Sequence, residues 1–213
     1  MSLTDQSAYW NKVSHSKTFT HPLNIDLLRT FVTPESLIVD YGCGYGRVVK
    51  MLKEAGCNKV TGFDTSIELV RRGIAEGCCE LHHFTTLAEL PLEDGSVDCF
   101  LLFAVMTCIP ENAAQMALMK TLFSKLRSGG VIYISDYYLQ PNSTEFVTYD
   151  TLNGDPDNYG VFSLPEGATF RHHTHEWIKK LVGAFAVVVE NAVPVSTMNG
   201  AKAEAFQMIL KKL

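Results

Sequence analysis

A repeated alternation of short apolar runs with helix-like segments constrains this chain more than any other feature. Leu37–Tyr41, Lys59–Phe63, Glu80–Phe84, Val97–Phe103 and Val131–Ser135 read as strands. Val97–Phe103 is unbroken by polar alternation, as a strand buried on both faces requires. Helices fall between them. One is Arg47–Glu54, closed by Gly56, and another runs through Ala75 from the capping box Thr65-x-x-Glu68. A third is opened by Pro110, carries Met116, Met119, Leu122, Phe123 and Leu126 at helical spacing, and stops at Ser128-Gly129-Gly130. Units of this kind predict a three-layer α/β domain around a mostly parallel sheet.

The last third breaks the alternation. Residues 137–159 are polar and punctuated by Pro141, Gly154 and Pro156. Gly160–Leu164 and Ala168–His172, joined through Pro165-Glu166-Gly167, read as a hairpin. Thr174 caps a helix over His175–Val182, and Phe185–Val195 pairs with Ala203–Leu210 across a turn containing Asn199-Gly200. The expectation is one domain over residues 1–213, with a leader (1–23) and an insertion or lid (137–173). Its sheet has seven strands, one of them antiparallel within the C-terminal hairpin.

A length of 213 residues suits one domain, and 46% hydrophobic against 19% charged side chains excludes disorder. A net charge of −5 argues against non-specific binding to nucleic acid or anionic lipid. The longest apolar run, Cys99–Met106, falls far short of the ~18 residues of a membrane span. The opening MSLTDQSAYW has neither the basic start nor the apolar stretch of a secretory signal. Six cysteines inside apolar or motif segments suit reduced thiols. A cytoplasmic protein without nucleic-acid or membrane partners is expected; oligomeric state is not readable.

Gly42-Cys43-Gly44-Tyr45-Gly46 follows the first strand and opens a helix, where glycines permit tight turning and close approach of a ligand to the main chain. The spacing is G-x-G-x-G, with Arg47 where a dinucleotide fold wants its third glycine, and no Lys-Ser or Lys-Thr completes a phosphate loop. Asp64, at the next strand end, is placed to accept hydrogen bonds from two ribose hydroxyls.

With those residues in view, Val39-Asp40-Tyr41-Gly42-Cys43-Gly44-Tyr45-Gly46 resembles the first motif of class I S-adenosylmethionine-dependent methyltransferases. Gly62-Phe63-Asp64-Thr65-Ser66 resembles their second motif. Leu90–Asp98 is similar to the loop and fourth strand of the small-molecule branch, and Leu126–Gly130 to the turn before the fifth strand, with Ser128 for the usual proline. The likeness spans residues 37–136 and implies a Rossmann-like methyltransferase fold that binds S-adenosylmethionine and releases S-adenosylhomocysteine. It implies a cofactor site of Asp40, Gly42, Cys43, Gly44, Gly46, Asp64, Thr65, Thr86, Leu87, Ala104 and Val105. Tyr41 replaces a small aliphatic residue, and Thr86-Leu87 stand where relatives carry an acid for the adenine amino group.

Methyl transfer from a sulfonium is a direct displacement, in which orientation alone can lower the barrier by roughly 7–11 kcal/mol in the best cases. No obligatory triad follows, so catalytic residues cannot be read off. Candidates for the pocket of a small-molecule acceptor are Trp10, His21, Met106, Tyr149, Arg171 and His172. The leader aromatics either fold across the cofactor or cover the core edge; the insertion either closes the site or extends the core. Cys78-Cys79-x-x-His82-His83 and His172-His173-x-His175 match no usual zinc framework, so no metal is expected. Cys108 reads as a packing residue. Rival readings are a binding module without turnover, a protein or RNA methyltransferase marked by an exposed basic groove, and a nicotinamide-dependent oxidoreductase, which the glycine spacing opposes.

Overall fold

The structure, a computed structural model, describes residues 6–140 and 149–213. Its centre is a seven-stranded sheet built from β1 (Leu37–Tyr41), β2 (Lys59–Asp64), β3 (Leu81–His83), β4 (Val97–Phe103), β5 (Leu126–Tyr137), β9 (Ala186–Ser196) and β10 (Lys202–Lys211). The order is β3-β2-β1-β4-β5-β10-β9. Strands β3 to β5 are mutually parallel, β10 runs antiparallel to β5, and β9 runs antiparallel to β10, which leaves β10 the one reversed strand. The strand order reverses between β1 and β4, so a crevice opens at their carboxyl ends.

Side chains alternate across each strand, and both faces are covered. Val39, Phe100, Leu102, Ile132 and Ile134 pack toward α5 (Asn112–Lys125) and α6 (His175–Leu181). Ile38, Cys99, Leu101, Val131 and Tyr133 pack toward α2 (Ile25–Arg29), α3 (Arg47–Glu54) and α4 (Ile67–Ala75). This two-sided burial is why the strands read as continuous apolar runs rather than alternating ones. No helix among the described residues is long and apolar enough to cross a membrane.

Several boundaries move. Ser66, not Thr65, caps α4: its Oγ accepts the Leu69 N–H at 3.2 Å and donates to Asn11 Oδ1 at 2.7 Å. α5 starts at Asn112 behind Glu111 rather than at Pro110. Ser128-Gly129-Gly130 lies within β5, which pairs with β4 across a register shift between Val97 and Cys99. The insertion holds its own antiparallel sheet of β6 (Asp150–Leu152), β7 (Asp155–Ser163) and β8 (Thr169–Arg171); β7 and β8 are the expected hairpin and β6 was not foreseen. Residues 141–148 of the insertion lie outside the described residues. The leader folds as α1 (Ser7–Val13) and an extended stretch that crosses the crevice.

Candidate active site

A single cavity of about 580 Å³ occupies the crevice at the carboxyl ends of β1, β2, β4 and β5. Its floor at one end is the glycine loop. The Gly42 and Cys43 N–H groups both donate to the Phe63 carbonyl, at 2.8 and 3.1 Å, which pins the loop to the end of β2. Gly42 has φ +74°, and a Cβ there would lie 2.8 Å from Val105 Cγ2, so only glycine leaves this floor open. Asp64 accepts the Gly44 N–H on Oδ2 and the Ser66 N–H on Oδ1, each at 2.7 Å. Its carboxylate is therefore fixed in orientation with lone pairs left for a ligand. Burial pushes Asp64 up, against the pull of those backbone donors.

Asp40 stands beside it. Burial raises its carboxyl to about 8, against the attraction of Arg47 and with a further push from Asp64. Arg47, where the dinucleotide glycine is missing, donates through Nη2 to the His21 carbonyl, while its buried Nε has no partner among the described residues. His21 Nδ1 lies 2.9 Å from Ser135 Oγ; burial, aided by Arg47, lowers the imidazole to about 4, so it is neutral at pH 7. Thr65, Thr85, Leu87, Phe84, Val105 and Leu118 complete this end of the wall. Ala104, at φ +56°, turns the chain out of β4, and its carbonyl accepts the Cys108 S–H at 3.2 Å. The Cys108 thiol is pushed far up by burial and stays protonated.

Another stretch of the wall is a run of rings in mutual contact. Phe19 meets Trp10 (centroids 5.9 Å), Trp10 meets Phe170 (5.9 Å), and Phe170 meets Phe162 (6.1 Å). Phe162 then meets His172 (4.8 Å), His172 stacks on Tyr137 (4.9 Å), and Tyr137 meets His21 edge-on (4.8 Å). All of these side chains line the cavity. Leader, insertion and β5 thus close one wall together. Gln6 staples them: its amide donates to the Cys108 carbonyl at 2.7 Å and accepts the Thr169 N–H at 2.9 Å. Arg72 donates to the Ser14 and Lys17 carbonyls and lies 3.9 Å over the Tyr45 ring, holding the leader to α4.

Of the residues singled out from the sequence, Asp40, Gly42, Cys43, Asp64, Thr65, Leu87, Ala104, Val105, Trp10, His21 and His172 line the cavity. The others stand elsewhere. Gly44 lies under the Phe19 ring and Gly46 against Cys78 and Leu81, so both serve packing of the loop. Thr85, rather than Thr86, faces the cavity. Met106 is wholly buried in the core between sheet and α5. Tyr149 stands behind the wall, its hydroxyl 2.6 Å from His172 Nδ1. Arg171 stands outside the cavity: its guanidinium is buried and donates to the carbonyls of Tyr159, Pro110 and Asp157 and to Asn112 Oδ1. It clamps the insertion onto the start of α5. His173 is likewise internal, between the Tyr137 carbonyl and Gln115 Nε2. The leader's Gln6 and the hairpin tip Thr197, Met198, Asn199 and Ala201 reach the cavity without any sequence signal, because remote turns are brought there only by the folded sheet.

The fold and its central segment have known counterparts. The methyltransferase-domain family matches residues 39–134. Phosphoethanolamine N-methyltransferase 1 of Zea mays is 28% identical over 165 residues, covering 74% of this chain; the chain spans about a third (31%) of that relative's length. Among solved structures, an S-adenosylmethionine-dependent methyltransferase of Methanosarcina mazei superposes with a TM-score of 0.75 at 20% identity, over 92% of this chain and 99% of that one. The 1,6-didemethyltoxoflavin-N1-methyltransferase of Burkholderia thailandensis, solved with 1,6-didemethyltoxoflavin and S-adenosylhomocysteine bound, superposes with a TM-score of 0.63 at 18% identity, over 88% and 75%.

Proposed function

We propose, for a chain whose residues 39–134 match the methyltransferase-domain family, that the protein is an S-adenosylmethionine-dependent enzyme that transfers a methyl group to a small molecule. The observation that carries the reading is the continuity of one cavity. It runs from the Gly42 and Asp64 floor to an aromatic wall, so that a donor and an acceptor share one enclosed space. The chemistry of the donor set fits the cofactor. Asp64, held by two main-chain donors, is oriented to accept a pair of ribose hydroxyls. Phe84, Leu87, Val105 and Leu118 make an apolar slot for a flat base beside it.

The bound cofactor supplies a methyl carbon on a cationic sulfur. This chain's residues bind, orient and exclude water. Leader and insertion cover the crevice, and we assign them the acceptor side of the site, as the Trp10, Phe162 and Phe170 rings there support. Closure of this kind holds an acceptor in line and strengthens the few polar contacts inside. Burial keeps His21 neutral and the Cys108 thiol protonated, and no residue is assigned as the base.

Calorimetry with S-adenosylmethionine and S-adenosylhomocysteine tests the donor half, and transfer of labelled methyl into a metabolite extract tests the reaction. Preferential binding of NAD, or neither sulfonium nor product bound, overturns the reading. Tight cofactor binding without transfer to any fraction would make the chain a binding module.

A further inference from the structure

We infer that the acceptor is a small, uncharged, ring-bearing molecule, and that phosphate-bearing acceptors are turned away; the inference rests on the methyl-transfer reading and narrows it. The first ground is the wall itself. Trp10, Phe170, Phe162, His172 and Tyr137 present successive ring faces and edges to the cavity, with centroids 4.8 to 6.1 Å apart. Such a surface gains from flat apolar partners through offset stacking and edge contacts. It offers a phosphate nothing in exchange for its water.

The second ground is where the cations are. A bound phosphate needs charge-assisted donors, normally Arg or Lys. Of the described residues lining the cavity, Arg47 is the one permanent cation; its Nη2 is on the His21 carbonyl, its Nη1 on Met51 Sδ, and its Nε is buried. Lys17 lies off the wall, its ammonium held by Glu166 at 3.2 Å and by Asn199. Arg171 points away into carbonyl oxygens. Residues 1–5 (MSLTD) and 141–148 (PNSTEFVT) contain no Lys, Arg or His, so neither segment could bring a basic side chain to the site. His21 and His172 stay neutral, through burial above all. A protonated amine would first have to give up its proton, because only the neutral form has a lone pair to take the methyl group.

The third ground is a polar handle. The Tyr137 hydroxyl and the Trp10 indole N–H both belong to rings on the wall. Each is a donor able to meet one acceptor atom on an otherwise apolar ring.

The test is calorimetric titration of the protein saturated with S-adenosylhomocysteine, using 2-naphthol, 2-naphthyl phosphate and phosphoethanolamine. The first two share a ring system and differ by the phosphate. Naphthol is expected to bind about tenfold or more tightly than its phosphate ester, with phosphoethanolamine giving no saturable heat. Phe170→Leu and Tyr137→Phe, each checked for folding by circular dichroism, should weaken naphthol by about threefold or more while S-adenosylhomocysteine still binds. A phosphate ester that binds as well as the alcohol, saturable binding of phosphoethanolamine, or no binding of either naphthyl probe would overturn the inference. Titrations repeated without S-adenosylhomocysteine separate the two claims. Loss of cofactor binding alone removes the methyl-transfer reading, whereas the order of the naphthyl pair decides the acceptor class.

Discussion

Gly44→Ala would act on the leader rather than on a ligand, and the structure sets its size. Gly44 has φ +56°, where an alanine costs about 1–2 kcal/mol. A Cβ built there would lie 2.0 Å from Phe19 Cε2 and 2.9 Å from Cδ2, so the ring must move. Phe19 stacks on Tyr45 with centroids 5.1 Å apart at 15°, and meets Trp10 edge-on at 5.9 Å. Loss of both ring pairs costs about 1–3 kcal/mol more. Gly44→Ala alone should therefore cost about 2–5 kcal/mol, and only about 1–2 kcal/mol in a Phe19→Ala background. The readout is a double-mutant cycle of hydrogen exchange across residues 6–22, with the Phe19 N–H, donated to Tyr45 Oη at 3.1 Å, as the local reporter. Urea unfolding in parallel shows whether the loss is confined to the leader. If Gly44→Ala costs the same with and without the Phe19 ring, the glycine is needed for the loop alone and the reasoning is wrong.

Asp64→Asn removes charge-assisted bonds worth about 1.5–3 kcal/mol each, so affinity for S-adenosylhomocysteine by calorimetry should fall at least about tenfold while the fold persists. Unchanged affinity would dissociate Asp64 from the cofactor. Stability should decline as pH rises from about 6.5 to 8: unfolded Asp40 is ionised throughout that window, whereas the folded carboxyl, raised by burial to about 8, keeps its proton, so the native state binds more protons. Asp136, raised by burial to about 7, adds to the lower part of the slope. His21, lowered to about 4, and His172 and His173, lowered to about 3, oppose it until unfolded imidazole has lost its proton by about pH 7.5, so the decline is steepest between about 7 and 8. Urea midpoints of Asp40→Asn should be flatter across this window; an unaltered slope would show that Asp40 titrates normally. Arg171→Met should lower stability by about 2–4 kcal/mol, because the carbonyls of Pro110, Asp157 and Tyr159 lose their donor inside the protein. A midpoint within error of wild type would mean water replaces the guanidinium there.

The glycine-loop side of the cavity was legible because its demands are local and made on the main chain. A strand must stop, turn through positive φ at Gly42, and leave an acid at the neighbouring strand end; a handful of consecutive residues meets each demand. The α4 cap shows where such locality fails. Thr65 and Ser66 can both cap, and the choice falls to Ser66 because Asp64 Oδ1 takes its N–H while Asn11, from the leader, accepts its hydroxyl proton and the Glu68 N–H. The aromatic wall was less legible for the same reason. Met106 follows directly on wall residues, yet the left-handed turn at Ala104 swings it into the core. Arg171 sits between two wall residues, Phe170 and His172, and strand alternation sends it to the other side, where oxygens from residues 110, 112, 157 and 159 take up its donors. An arginine in an aromatic segment looks like a ligand group until its partners are known, and those partners lie on other elements. The same alternation places Phe170 and His172 together on the cavity. A reading by strand parity would have paired these two and set Arg171 apart, because once the hairpin register is fixed neighbours cannot share a face.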